Sequence, residues 1–235
     1  MEKKKRNQIL LIGLVIVIVI AVILLGIFFG TGFYQKIVLY NEVERISRLD
    51  ITKDQFDTEI KSTGEYAKVE EAIKEYFSEY SKSLQASLNA ISEENLNKIM
   101  SDENLIEDAP NFEKTLENIQ KTKEDFNTNV DALIEQMDET YIMSKIEAKN
   151  VEEEFKKLYQ ELMYDDEIIS QLEAQKTELE ESRTLLNELL DLNEQLYRLL
   201  AEKPGKWKYE DNIMQIDDEE LLNQYNALVE EMQSK

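Results

Sequence analysis

The side chains best placed to do chemistry in this sequence are carboxylates. Two tight runs stand out, Asp165-Asp166-Glu167 and Asp217-Asp218-Glu219-Glu220. Runs of this kind can hold Ca²⁺, which takes oxygen ligands. Neither has the alternating ligand spacing or the loop glycine of an EF-hand, and both fall where a helix would begin, so capping and solvated charge are expected there rather than a metal centre. Paired carboxylates also hydrolyse glycosides without histidine. That chemistry needs two carboxyls facing each other across a cleft on rigid elements, and narrow helical bundles offer few clefts.

Other chemistries are removed outright. The chain has no cysteine and no histidine. It therefore lacks a thiol nucleophile, disulfides, the commonest general base and the commonest transition-metal ligand. The expected catalytic, metal and cofactor sets are empty. The remaining candidates are aromatic. Trp207 and Tyr209 lie outside any helical register and form the candidate partner-binding surface, since Trp and Tyr are enriched at interface hot spots. Tyr66, Tyr76, Tyr80 and Tyr197 sit on helical stripes and read as core. Lys123, Lys176 and Arg183 occupy stripe positions and read as snorkelling or register-setting side chains.

The elements that must position these residues begin with an apolar run. Residues 9–29 carry no charge, and a helix of that length spans about 31 Å, the depth of a bilayer core. A secretory signal has a shorter apolar core and a small-residue cleavage site, whereas here Gly30-Thr31-Gly32 is flanked by Phe29 and Phe33. The run reads as a retained anchor. Lys3, Lys4, Lys5 and Arg6 precede it, and Lys36 is the first basic residue after it. The positive-inside rule then places the N-terminus in the cytoplasm and the bulk of the chain outside the cell membrane. Gly26 and Gly30 have GxxxG spacing, but at the edge of the run they read as small residues near a helix end.

Acidic residues outnumber basic ones 50 to 27, for a net charge of -23, and residues 37–235 are more negative still because the N-terminus is basic. Such a body repels nucleic acid and anionic lipid surfaces. No asparagine sits in a glycosylation sequon, which together with the missing cysteine suits a bacterial envelope.

With two prolines and six glycines in all, the body reads as mostly helix. Thr52 to Gln55 and Ser62 to Glu65 have capping-box spacing. Tyr66, Val69, Ile73, Tyr76, Tyr80, Leu84, Leu88 and Ile91 make one stripe, and Ala109-Pro110 marks entry to a second helix with Phe112, Leu116, Ile119, Phe126, Val130, Leu133 and Met137 on one face. Asn150 is expected to cap a third segment. There Val151 to Leu200 keep a 4/3 spacing through Leu158, Leu162, Ile169, Leu172, Leu179 and Leu190, with Asp165 able to interrupt it. Pro204-Gly205 ends that helix. Lys206 to Tyr209 and Ile213 to Ile216 suit a hairpin, and Asp217 with Glu220 should cap a last helix bearing Leu221, Tyr225, Leu228 and Met232. Trp207 is expected to pack near Leu199 and Leu200.

The expected fold is all-α: a single N-terminal transmembrane helix, then an elongated antiparallel helical bundle or coiled coil, ending in a small β-hairpin plus helix. The expected segments are a cytoplasmic basic tail (1–8), an anchor (9–30), a juxtamembrane helix and linker (31–64), an acidic bundle (65–203) and the hairpin with its terminal helix (204–235). In layout this resembles bacterial membrane-anchored coiled-coil proteins, a likeness of arrangement with no family motif behind it. The expected function is a non-catalytic extracytoplasmic interaction or scaffold protein. It would be held in the membrane by residues 9–29, with a protein partner at the outer face, no nucleic acid and a second copy of itself as a further candidate partner. The alternative is a ligand- or stress-sensing domain acting through a transmembrane partner, because an eight-residue tail holds no output domain. A carboxylate-dependent wall hydrolase ranks last.

Overall fold

A computed structural model describes residues 34–49 and 57–235. The anchor, the basic tail, the glycine pair and the Thr52 capping box lie outside the described residues. Among the described residues no helix is long and apolar enough to cross a membrane.

The chain is mostly helical. Its elements are α1 (Tyr34–Ser47), α2 (Glu65–Ala90), α3 (Glu93–Met100), α4 (Asn104–Glu107), α5 (Glu113–Gln136), α6 (Glu139–Glu147), α7 (Glu153–Met163), α8 (Asp166–Glu202), β1 (Trp207–Glu210), β2 (Ile213–Ile216) and α9 (Glu219–Ser234). Two compact units form. The first holds the described residues up to 85 with 131–179, and the second holds 86–130 with 180–235. The helices α2 and α8 run through both, and so does α5.

In the first unit the α2 stripe is buried as its 4/3 spacing requires: Val69, Ile73, Tyr76, Tyr80 and Leu84 are all core. Tyr76 and Tyr80 stack at 6.0 Å. Tyr159 is fully buried and donates its hydroxyl proton to the Ile142 carbonyl at 2.9 Å, so the buried polar group is satisfied. The long stripe shifts at Tyr164. Asp165 Oδ1 accepts from the Ile168 amide at 2.8 Å and starts α8 afresh. The new start turns Ile168 inward, where uninterrupted spacing pointed to Ile169.

Several helix ends differ from the sequence pattern. Ser62 does not close a box with Glu65; its amide and hydroxyl both donate to Glu70. Asn150 has φ +50 and follows α6 in the left-handed region, while Glu152 occupies the N-cap of α7. An amide side chain tolerates that conformation, so Asn150 serves a helix exit and not an entry. Pro110 is not the first residue of α5, because Phe112 takes φ +55 first. The cap there is Asp108, whose Oδ2 accepts from the Thr115 amide and hydroxyl, both at 2.8 Å. A break at Met137-Asp138 separates α5 from α6, with Asp138 as N-cap. The cap of α9 is Asp218, one residue past Asp217, accepting from the Leu221 amide at 3.0 Å.

In the second unit Ile99, Phe112, Ile119, Leu190, Tyr197 and Leu200 form a buried cluster. The Tyr197 hydroxyl donates to the Ile99 carbonyl at 2.7 Å. The hairpin pairs Trp207 with Ile216, Lys208 with Gln215, Tyr209 with Met214 and Glu210 with Ile213. Asp211 and Asn212 form its turn with φ 52 and 60. Two successive left-handed residues are what a two-residue type I′ turn demands.

Candidate functional site

The densest polar chemistry among the described residues is a buried ion network in the first unit. Sequence reading missed it. It starts on α1, where Leu39, Val43 and Ile46 are buried against the body and bring Glu42 in with them. On α2, Glu70 and Lys74 flank the buried Val69 and Ile73. Glu70 is 0 % exposed, Lys74 2 % and Glu42 6 %. Charges this deep persist only when paired and hydrogen-bonded.

The pairing is complete. The Lys74 ammonium donates to Glu42 Oε1 at 2.7 Å, to Glu70 Oε1 at 2.8 Å and to the Glu59 carbonyl. Those are all three of its protons. Glu70 Oε1 also accepts from the Lys61 amide at 2.9 Å, and its Oε2 accepts from the Ser62 amide at 2.7 Å and the Ser62 hydroxyl at 2.6 Å. That fills four acceptor sites. Arg45 Nε and Nη2 donate to Glu42, the shorter bond at 2.6 Å. Burial pushes Glu70 up, but the bonds from Lys74, Ser62 and two backbone amides outweigh it and hold its carboxyl below the usual range. Burial likewise raises Glu42, and Arg45 and Lys74 more than offset it. The three protons of Lys74 and four acceptor sites of Glu70 are committed inside the network. What it can do is fasten. It ties α1, the 57–64 segment and α2 at one point, and the Thr63 amide adds a bond to Gln35 Oε1 at 2.9 Å.

A second charged seam joins α2 to α6. Glu79 accepts from the Tyr141 hydroxyl and from Lys145, and Lys149 reaches Glu75 at 2.8 Å. Burial raises Glu79, and Lys145 and Tyr141 bring its carboxyl below the usual range.

The residues singled out from the sequence fall elsewhere. Trp207 is half-buried: its ring stacks on Phe112 at 5.7 Å and its Nε1 donates to the Leu200 carbonyl at 2.7 Å. Tyr209 shares that face of the hairpin, and Asp102 beside its hydroxyl pushes the phenol up. The structure thus joins Trp207 to Phe112 and Tyr197. Asp165 and Asp218 are helix caps. Among the described residues no group of three or more carboxylates gathers as a metal would need. Lys123 reaches Asp191, Lys176 reaches Asp138 and Arg183 reaches Glu180, each from a half-buried stem. The signal for the missed network was thin, because Glu70 and Lys74 at i,i+4 look like an ordinary surface pair.

Compared with protein-family models, curated proteins and solved structures, the chain finds no match in any of the three.

Proposed function

We propose that this chain is a membrane-anchored, extracytoplasmic interaction or scaffold protein of a bacterial envelope, working without catalysis. Residues 9–29 act as the single anchor, the basic tail stays in the cytoplasm, and the acidic helical body stands outside. The observation that carries this reading is the fastening of α1. The helix that follows the apolar run is locked to α2 by a saturated buried network, so a body tied this way keeps a fixed attachment to whatever holds its N-terminus. A protein that presents a surface at a set place above a membrane needs that property. A negative body suits protein partners over lipid headgroups and nucleic acid.

The test takes the full-length chain in its own cell type. Protease added to intact wall-less cells should remove the body, and crosslinking before detergent extraction should capture a membrane or wall-associated partner protein. Protection until lysis would invert the orientation. Hydrolysis of purified wall by the full chain would replace scaffold with enzyme.

A further inference from the structure

The hairpin is a two-stranded sheet with two open edges, and the β1 edge is the one with features that fix a partner. The Asp217 amide donates to the Lys206 carbonyl at 3.0 Å, and bonded and non-bonded pairs alternate along an antiparallel ladder. In the observed register, Lys208 and Glu210 therefore turn their backbone groups toward β2, and Trp207 and Tyr209 turn theirs outward. Among the described residues, no group bonds to these outward N–H and C=O groups. Such an edge is a template for another strand.

We propose that β1 pairs antiparallel with β1 of a second copy of this chain, with Lys208 on the two-fold axis. The pairing makes a four-stranded sheet from two hairpins. This goes beyond the scaffold reading and does not depend on the anchor. In this register Trp207 lies opposite Tyr209 of the second copy, and Tyr209 opposite Trp207, so all the outward groups of both copies find partners. Lys206 faces Glu210 of the second copy, an opposite-charge pair repeated by the symmetry. Lys208 faces its own equivalent, and each ammonium is already drawn to its own Glu210 at 2.9 Å. Shifting the axis to Tyr209 would set Trp207 against Asp211, whose φ of 52 takes it out of the strand. Most of the bonds would then be lost. The β2 edge is the weaker candidate. Ile213-Met-Gln-Ile216 carries no charge to fix a register, and α9 begins at Glu219, close behind it.

The chain has no cysteine, so an introduced one is the sole thiol. Directly opposed positions across a non-bonded pair lie within disulfide reach. In detergent-solubilised full-length protein under mild oxidation, Lys208→Cys should form covalent dimer about tenfold faster than Gln215→Cys, which the pairing places two strands further from its equivalent. Adding Glu210→Lys should slow the Lys208→Cys crosslink several-fold, and adding Lys206→Glu as well should restore it. Equal crosslinking at 208 and 215, or none at either, overturns the pairing. Failure of the double reversal to restore it overturns the register.

Discussion

The two compact units are held by opposite means. In the first, α1 meets α2 through Glu42, Lys74 and Glu70, and α6 with the turn after it meets α2 through Glu79, Lys145 and Lys149. In the second, Phe112, Tyr197 and Trp207 pack ring against ring, and the polar bonds within that cluster are neutral ones, from Tyr197 to the Ile99 carbonyl and from Trp207 to the Leu200 carbonyl, with charged pairs such as Lys123–Asp191 toward its surface. Aromatic packing gains from area and tolerates modest shifts. A buried ion network gains little net free energy but punishes any arrangement that leaves a charge alone. The first unit is thus built for a single register of α1, and the second for stability of its end.

The largest expected effect is at Lys74. Lys74→Met strands Glu70 as a buried carboxylate without a countercharge and leaves Glu42 to Arg45 alone, and should cost about 3–5 kcal/mol. Denaturant unfolding measures it, with hydrogen exchange across 34–49 and 57–74 locating it. Neutralising all three together (Glu42→Gln, Lys74→Met, Glu70→Gln) should recover much of the loss. If the triple variant is no better than the single one, charge is not what matters there.

Phe112→Ala should cost nearly as much, about 3–5 kcal/mol, because a fully buried ring under Trp207 and Tyr197 leaves a cavity. Trp207, the chain's only tryptophan, reports it directly through a red-shifted, more quenchable emission. Trp207→Ala should cost less than Phe112→Ala, since its ring is only half-buried. An equal or larger loss would make the hairpin, not Phe112, the centre of that core.

Acid sharpens the contrast. Glu42, Glu70 and Glu79 all sit below the ordinary carboxylate value of 4.5. A lowered folded value means stability that is fully present above the ordinary value and lost as pH falls through the folded one. Protection of the α1 and early α2 amides, taken relative to their intrinsic exchange rate at each pH, should therefore fall as pH drops below about 4.5. In Lys74→Met the sign should reverse, with acid stabilising the fold because protonation removes the stranded Glu70 charge. The tyrosines Tyr197 and Tyr225 are pushed up by burial and do not titrate in that window. The smallest effect expected is at Asp108. Asp108→Ala frees the Thr115 amide and hydroxyl at the start of α5 and should cost about 1 kcal/mol by thermal unfolding. A loss as large as that at Phe112 would show that the cap, not the ring, sets the entry to α5.

Helix identity was readable because it rests on period. The stripe from Val69 to Leu84 and that from Ile119 to Leu133 are buried where 4/3 spacing puts them. The hairpin was readable from Pro204-Gly205 and the alternation around Asp211-Asn212. The helix ends were less so. Ser62, Asn150 and Asp217 all have capping chemistry, but a cap depends on the backbone dihedrals at that residue, which side-chain type biases and does not decide. The network at Lys74 was invisible for a related reason. A Glu-Lys pair four residues apart reads the same in water as in a core, and only the arrival of α1 and the 57–64 segment excludes the water.

By itself the sequence determined the helical class, the apolar run, the charge of the body and which chemistries lack their residues. Those properties follow from residue type and local spacing, which need no partner element. Tertiary structure alone decided that Glu42, Glu70 and Lys74 are buried together, that Trp207 stacks on Phe112, and that Trp207 and Tyr209 turn their backbone groups outward. Each of these depends on segments distant in the chain meeting, or on the parity of a strand register, and desolvation then gives the same side chains energies they do not have alone.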